Sequence, residues 1–280
     1  LDGREYVTIL QNGQTTPAPW INVIANPDFG FQVSAEGSGF TWAENSRENQ
    51  ITPWSNDPVT DPAGEAIYLQ DLDTGQIWAP TALPMRSNGT YIARHGFGYS
   101  RFQHTANGID ADMVQFVPRD APVRITRLTL RNTGTQPRKL SVTAYAEWVL
   151  GTSRGATATA LITEIDAETG AILVRNPRAM AFPGRIAFAD LGIATTSRSC
   201  DRAEVLGQTG SLAAPAALAG LSGRAGPGLD PCAALQRSIT LPAGQSVDVV
   251  FLLGQAASAD DARALIHATR ARDLTAALDE

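Results

Sequence analysis

Short apolar runs recur along the whole sequence, each bounded by Gly, Pro, Asn or Asp, and they constrain the fold of this chain more than any other feature. In the clearest run, Lys139 to Leu150, every second residue is apolar and most of the residues between are polar. This period of two is typical of a half-buried strand. Further runs lie at Trp20–Ile24, Phe29–Val33, Ala66–Leu69, Tyr91–Arg94, Ile109–Phe116, Ala160–Ile165, Ala171–Val174, Ile186–Ala189 and Val247–Leu253. Many short strands at near-regular spacing predict an all-β fold, a sandwich or a barrel.

One strand pair has local irregularities. In Val123–Asn132 the apolar residues change phase halfway, which predicts a β-bulge near Thr126 and Arg127. The segment Asn132–Thr135 follows, and we expect it to form a hairpin turn to the next strand, with Gly134 at positive φ.

The C-terminal third contains three further signals. Val247–Leu253 is apolar on both faces and is expected to lie in the middle of the core. The Gly-, Ala- and Pro-rich stretch Gly207–Pro231 predicts a long surface excursion within one large unit. Ser258 and Asp261 form a variant capping box, which predicts a helix. One face of that helix would carry Ala262, Leu265, Ile266 and Thr269. The predicted organisation is a β-sandwich over residues 1–257 and a short helix over residues 258–280.

Charge and hydropathy exclude several classes of partner. The formal net charge is −6 and the isoelectric point is about 5.1, whereas nucleic-acid binders concentrate Lys and Arg. The sequence has no run of about 18 apolar residues, so we expect no membrane contact by this segment. It begins at Leu1 without a signal-peptide pattern, and we expect it to be a piece of a longer protein.

The cysteines and histidines give little support for a metal site or a disulfide framework. Cys200 and Cys232 lie 32 residues apart in turn-rich sequence, and the sequence leaves open whether they pair. Free thiols in a reducing compartment are the favoured interpretation. The three histidines show no ligand spacing relative to the cysteines, so we expect no metal and no cofactor.

The segment Gly39–Pro58 has the composition of a sugar-binding loop. Trp42 and Trp54 bracket a dense run of amide, hydroxyl and charged side chains that has no strand or helix period. Aromatic faces cover the C–H side of a pyranose, and planar polar groups bind pairs of hydroxyls. Long loops are usually functional or disordered, and the tryptophans argue against disorder. Turn formation with the tryptophans as core anchors remains an alternative.

Two further functional hypotheses follow from nearby residues. A two-carboxylate glycosidase could be built from Glu44, Glu48, Asp57, Asp61 and Glu65, although nothing in their spacing sets the required separation. His95, Tyr99 and Arg101 lie in a Gly-containing segment that could form a strand edge, where Tyr99 and Arg101 would share a face. A strand whose glycines allow close backbone approach explains that segment equally well.

Four strings carry a family resemblance. They are GFTWAENSRENQITPWSNDPVTDPAGEAIYLQD (Gly39–Asp71), IARHGFGYSRFQH (Ile92–His104), LSVTAYAEWVLG (Leu140–Gly151) and GLDPCAALQ (Gly228–Gln236). Together they resemble the region that precedes the phosphorylase-type catalytic domain of bacterial cyclic β-1,2-glucan synthases, a domain of glycoside hydrolase family 94. The resemblance extends over essentially the whole chain.

The resemblance implies a large antiparallel β-sandwich of the galactose-mutarotase-like kind, packed on an (α/α)6 catalytic barrel that this chain lacks. It implies a non-catalytic domain that recognises β-glucan or glucooligosaccharide and shapes the active site. It also implies a cytoplasmic protein tethered to the inner membrane through its other parts. A self-sufficient glycoside hydrolase or sugar epimerase and a purely structural domain are the alternatives. The residues predicted to contact substrate are Trp42, Asn45, Arg47, Glu48, Asn49, Gln50, Trp54, Asn56 and Asp57, followed by His95, Tyr99 and Arg101.

Overall fold

The computed structural model describes residues 3–207, 210–216, 218 and 220–280, and three antiparallel β-sheets dominate it. The largest sheet has nine strands. Side by side, they are β1 (Glu5–Leu10), β7 (Tyr91–Gly96), β8 (Tyr99–Ala106), β9 (Ile109–Phe116), β10 (Val123–Asn132), β17 (Ser246–Ala256), β14 (Ile186–Asp190), β13 (Ile172–Arg175) and β12 (Ile162–Ile165). As expected from its apolar residues, β17 lies inside this sheet, between β10 and β14.

Two smaller sheets complete the sandwich. The five-stranded sheet contains, in spatial order, β15 (Ser197–Asp201), β16 (Pro231–Leu241), β11 (Arg138–Glu147), β5 (Glu65–Asp71) and β6 (Ile77–Trp78). The three-stranded sheet contains β2 (Ile21–Ala25), β3 (Phe29–Ser34) and β4 (Gly39–Ala43). All three sheets contribute buried side chains to one central core, which includes Phe31, Val142 and Phe251.

Helices and loops cover the outer faces of the two large sheets. The helices are α1 (Arg154–Thr157), α2 (Arg202–Leu206), α3 (Ala259–Ala271) and α4 (Leu274–Asp279), and a 3-10 turn occupies Ala158–Ala160. Helix α3 packs Ala262 and Ile266 against the outer face of the nine-stranded sheet, where they meet Phe188. The predicted cap is confirmed, because the Ser258 side chain accepts a hydrogen bond from the Asp261 backbone N–H.

The predicted bulge in β10 is wrong. Its pairing continues without a shift on both sides, with Thr126 opposite Gln115 of β9 and Phe251 of β17. The apolar residues change phase because the strand is buried on both faces. Ile125 packs in the cluster under α3, whereas Leu128 packs between the sheets.

The predicted hairpin after β10 is also wrong. Strand β11 pairs with β5 and β16 in the other sheet, so residues 133–137 cross from one layer to the other. Gly134 does not adopt positive φ, and the turn is held instead by Asn132, whose Oδ1 accepts from the Gly134 N–H at 3.0 Å. Strand β11 therefore has its partners, β5 and β16, in the opposite layer and does not pair with β10.

The stretch predicted as a surface excursion differs from the expectation in its last part. Leu218 and Leu221 are buried against Tyr145 and Val205 on the outer face of the five-stranded sheet. Pro231 already belongs to β16. Residues 208, 209, 217 and 219 of this stretch lie outside the described residues.

Candidate functional site

The segment predicted as an irregular loop begins as a strand. Gly39–Ala43 form β4 and pair with β3, which corrects the expectation that no strand lies there. The segment then turns and returns beside β4, where the Ile51 N–H donates to the Thr41 carbonyl at 2.8 Å and the Val149 N–H donates to the Ile51 carbonyl at 3.0 Å. Residues 50–52 therefore connect the three-stranded sheet to the segment that follows β11.

Side-chain amides fix the turn between these two arms. Asn45 accepts backbone N–H bonds from Arg47 and Glu48, both at 2.9 Å. Asn49 is buried, and its Nδ2 donates to the Ala43 carbonyl at 2.9 Å and to Oε1 of Gln255 at 2.7 Å. The Nε2 of Gln255 donates back to Asn49 Oδ1 at 3.2 Å. These bonds hold the turn over the end of β17.

A cleft of about 230 Å3 opens beside this turn, and we call it the loop cleft. Four separate segments contribute its walls. They provide Glu48 and Asn49; Leu150, Gly151, Thr152 and Thr157; Asn176, Arg178, Ala179, Met180, Ala181, Phe182 and Arg185; and Gln255. The lining therefore combines planar amide, carboxylate and guanidinium groups with apolar surface. That combination suits a hydroxylated ring, which presents both kinds of surface.

The backbone around the loop cleft is held in uncommon conformations. Leu150 has φ 47° and Glu44 has φ 59°, values that bulky side chains rarely adopt. Asn176 secures the first, because its Nδ2 donates to the Leu150 carbonyl at 2.8 Å. Backbone strain of this kind tends to occur at binding and catalytic sites.

The charges around the loop cleft are only partly paired. Arg185 forms an ion pair with Glu44 at 2.5 Å, and Glu48 lies 3.4 Å from the exposed Arg47. Arg178 is exposed, and among the described residues it has no ion-pair partner within 4 Å. One guanidinium is therefore available for a ligand.

The residues that line the loop cleft suit ligand binding better than hydrolysis by a pair of carboxylates. Within the described part of the chain, Glu48 is the only carboxylate that lines the loop cleft. Glycosidases of the usual type need two carboxyls about 5 to 10 Å apart across the sugar. Hydrolysis by a carboxylate pair at this cleft would need a second carboxylate from elsewhere.

The other carboxylates of the glycosidase hypothesis do not line the loop cleft and contact neighbouring protein groups instead. Asp57 accepts from the Thr60 hydroxyl at 2.6 Å and from the Val59 N–H at 2.9 Å, and these bonds lower the pKa of its carboxyl. Burial raises the pKa of Asp61. Glu65 is buried against Arg124 at 2.5 Å.

Both tryptophans of the segment lie on the outer face of the three-stranded sheet, away from the loop cleft. Trp42 lies flat against β3, where a Cβ on Gly30 would come within 2.5 Å of its ring. Phe40 lies between the tryptophans, with ring centroids 5.2 Å from Trp42 and 6.3 Å from Trp54. Trp54 is 50% exposed and leaves part of a ring face open to a ligand. The exposed Asn56 follows it.

Of the other residues predicted to contact substrate, Glu48 and Asn49 line the loop cleft. Gln50 is buried, and its backbone N–H donates to the Gly151 carbonyl at 3.0 Å. Arg47 is exposed at the turn. The segment therefore contributes one wall of a cleft rather than a complete site.

The second group of predicted residues lies in a different part of the sandwich. Tyr99 and Arg101 share a face of β8 as predicted, and their partners are Glu5 at 2.7 Å and Asp112 at 2.7 Å. The bond to Asp112 raises the pKa of the Arg101 guanidinium. His95 lies on the opposite face of the sheet and lines another cavity.

The sequence pattern did not predict most of the residues that line the loop cleft. The signals were present. Residues 176–185 form a long Pro- and Gly-containing loop with two arginines between two predicted strands, and long loops in compact domains are often functional. Gln255 is an amide at the end of a strongly apolar strand, where a buried polar group requires a partner.

Cys200 and Cys232 are buried free thiols. Residues 3–207, 210–216, 218 and 220–280 contain no group of three His, Cys, Asp or Glu side chains that could hold a metal ion. Within the same ranges, no helix has the length and hydropathy needed to cross a bilayer.

Comparison with known proteins identifies close relatives. The sequence matches the family model described as "Glycosyl hydrolase 94, supersandwich domain" over residues 4–272. It is 42% identical over 282 residues to the cyclic beta-(1,2)-glucan synthase NdvB of Rhizobium meliloti (strain 1021), covering 99% of this chain and 10% of that protein. It is 32% identical over 150 residues to the N,N'-diacetylchitobiose phosphorylase of Vibrio furnissii, covering 52% of this chain and 18% of that protein.

The fold agrees with these matches. A bacterial glucoamylase complexed with acarbose superposes with a TM-score of 0.50 at 9% identity, covering 98% of this chain and 40% of that chain. The predicted super-sandwich of the galactose-mutarotase-like kind is confirmed. This chain spans between a tenth and a fifth of the length of the relatives it matches by sequence.

Proposed function

This chain belongs to the glycosyl hydrolase 94 supersandwich family, and we propose that it is a non-catalytic, glucan-recognising and active-site-shaping domain of a longer carbohydrate-active protein. Its ligand would be a β-linked glucan or glucooligosaccharide. A β-1,2-linked chain is the first choice, because the relative that aligns over nearly the whole sequence is a cyclic beta-(1,2)-glucan synthase.

The loop cleft is the observation that carries this proposal. It places the unpaired guanidinium of Arg178 and the carboxylate of Glu48 beside the apolar surface of Met180 and Phe182. A neutral sugar offers hydroxyls to the first two and C–H surface to the others. The cleft walls are held by the Asn49–Gln255 amide pair, so little ordering entropy would be lost on binding.

The catalytic groups would come from another part of the longer protein. We propose an (α/α)6 catalytic domain of the same chain as the main partner, with residues 1–257 as the recognition domain and residues 258–280 leading toward the barrel. Two buried free thiols suit a reducing compartment. We therefore propose the cytoplasm, with attachment to the inner membrane through other parts of the protein.

A structural role is the second candidate. Ile21, Val23 and Trp54 are exposed on the outer face of the three-stranded sheet. Exposed apolar side chains grouped on one face often mark an interface. If that face only docks against the catalytic domain, the chain should bind no sugar alone.

Calorimetric titration of this chain with β-1,2- and β-1,4-glucooligosaccharides tests the proposal. We expect saturable heats with the β-1,2 series at millimolar concentrations. Arg178→Ala should weaken binding about tenfold, as expected when a charge-assisted hydrogen bond is lost. The matched control is Arg131→Ala, which removes an exposed arginine on β10 and should leave binding unchanged.

Flat heats with both oligosaccharide series would contradict independent glucan recognition. Release of new reducing ends in the same samples would contradict the non-catalytic part of the proposal and favour a glycoside hydrolase.

A further inference from the structure

We propose that the chain has a second carbohydrate-binding site, an aromatic groove around Tyr6, Trp20 and Phe97, that holds a neutral pyranose chain such as a segment of glucan. The inference takes its ligand class from the proposed function above, but it uses none of the residues of the loop cleft. The cavity linings of the groove and the loop cleft have no residue in common.

The aromatic groove is open and large enough for several sugar units. Its volume is about 730 Å3, within the range of roughly 300–1,000 Å3 typical of small-molecule sites. Tyr6 is 60% exposed, Trp20 is 40% exposed and Phe97 is 89% exposed. The rings of Tyr6 and Trp20 meet edge to face, with centroids 5.9 Å apart and an interplanar angle of 85°. Three aromatic rings in one groove form a surface suited to the C–H faces of pyranoses.

The floor of the groove is fixed by hydrogen bonds between its segments. His95 lies 3.3 Å from the Trp20 carbonyl through Nε2 and 2.9 Å from the Ser100 hydroxyl through Nδ1. A neutral ring meets both demands, since Nε2–H can donate to the carbonyl while Nδ1 accepts from the hydroxyl. Asn22 Nδ2 donates to the carbonyls of Gly96 at 3.0 Å and Tyr99 at 2.9 Å. These contacts hold the segments that carry Trp20 and Phe97, while the rings themselves stay exposed.

The charges along the groove are already satisfied. Glu5 pairs with Arg94 at 3.2 Å and accepts from the Tyr99 hydroxyl at 2.7 Å. Arg4, the other charged residue in the lining, also has an interaction partner. A groove with engaged charges and exposed aromatic faces favours a neutral ligand over an anionic one. Among neutral ligands, a hydroxylated ring can also form a hydrogen bond with the hydroxyl of the exposed Tyr6.

Fluorine NMR of the chain labelled with 5-fluorotryptophan tests this proposal directly. The sequence has five tryptophans, and Trp20→Phe assigns the resonance of Trp20. We expect the Trp20 resonance to shift saturably with β-1,2-glucooligosaccharides. Tyr6→Ala and Phe97→Ala should each weaken that response at least about fivefold, whereas Arg178→Ala in the loop cleft should leave it unchanged. Ile193→Ala is the matched control, because Ile193 is 88% exposed on another loop. Circular dichroism verifies that each variant is folded.

Three results would overturn the groove without overturning the proposed function. In the first, the Trp20 resonance stays fixed while calorimetry reports binding that Arg178→Ala weakens; the groove then fails and the proposed function stands. In the second, the Trp20 shift survives both Tyr6→Ala and Phe97→Ala in folded protein. In the third, the resonance moves with protein concentration in sugar-free samples, which would identify the groove as a contact between copies of this chain. If neither site responds to sugar, the groove and the proposed function fail together.

Discussion

Asn49 and Gln255 exchange two side-chain hydrogen bonds, at 2.7 and 3.2 Å, although 206 residues separate them in the sequence. Both amides are buried, so each satisfies polar atoms of the other that would otherwise lack a partner. The pair joins the turn after β4 to the end of β17 and forms one wall of the loop cleft. It thus links the stability of the sandwich to the shape of its candidate binding site.

Breaking the hydrogen bonds between Asn49 and Gln255 should destabilise the protein and leave the rest of the fold unchanged. Asn49→Ala or Gln255→Ala leaves a buried amide unsatisfied, and we expect each to lower the free energy of unfolding by about 1–3 kcal/mol. The double variant should cost less than the sum. Urea denaturation measures this, with the exposed Ser46→Ala as a control that should stay within about 0.5 kcal/mol. Strictly additive losses would contradict a direct coupling.

The buried ion pair of Glu65 and Arg124 should be more sensitive still. Their side chains are almost fully buried, 2.5 Å apart, and Glu65 also accepts hydroxyl bonds from Thr41 and Thr52 at 2.7 and 2.6 Å. Arg124→Met strands the carboxylate, and we expect a loss of about 3–5 kcal/mol. Glu65→Gln combined with Arg124→Met should recover much of it, because Gln keeps an acceptor for both hydroxyls. A double variant less stable than Arg124→Met would refute this account.

Stability should fall as the pH drops below about 6.5, the ordinary pKa of histidine. Burial lowers the pKa of His95 and His104, so the unfolded chain binds protons that the folded chain does not. Stability therefore rises with pH through this window and is lost on acidification. Replacing both histidines with Gln should flatten the slope of unfolding free energy between about pH 7 and 5. An unchanged slope would show that other groups cause it.

The two thiols should be unreactive in the folded protein. Burial raises the pKa of Cys200 to about 11 and places that of Cys232 well above its usual value. The thiolate is the reactive form, so labelling with a thiol reagent should require unfolding. We expect two equivalents to react in denaturant and almost none without it. Rapid labelling of the native chain would contradict the buried position of β15 and β16.

Short apolar runs bounded by turn-forming residues predicted several strands well. The bounds of β9 and β10 match the expected runs Ile109–Phe116 and Val123–Asn132. Strand β16 was not predicted because Ala233 and Ala234 have little β propensity and its first residues show no alternation. Burial under the segment that includes Leu218 and Leu221 explains why small residues occur there.

The candidate site could be predicted only in part. The composition of residues 39–58 predicted a sugar-binding segment, and this segment contributes Glu48 and Asn49 to the loop cleft. The other walls come from segments that lie about 100 to 200 residues further along the chain. Their convergence depends on the order of strands in the sheets, which the sequence pattern does not specify. The predicted hairpin after β10 failed for the same reason, since the partners of β11 lie in the other layer of the sandwich.

Methyl NMR of methionine tests the glucan-binding role of the loop cleft most directly. The chain has three methionines, and Met180 lines the cleft at 91% exposure, whereas Met113 is buried in the core. On titration with β-1,2-glucooligosaccharides, we predict that the Met180 methyl signal shifts saturably and that Met113 does not move. A Met180 signal that stays fixed while the sugar binds would contradict the assignment of the cleft as the glucan-binding site.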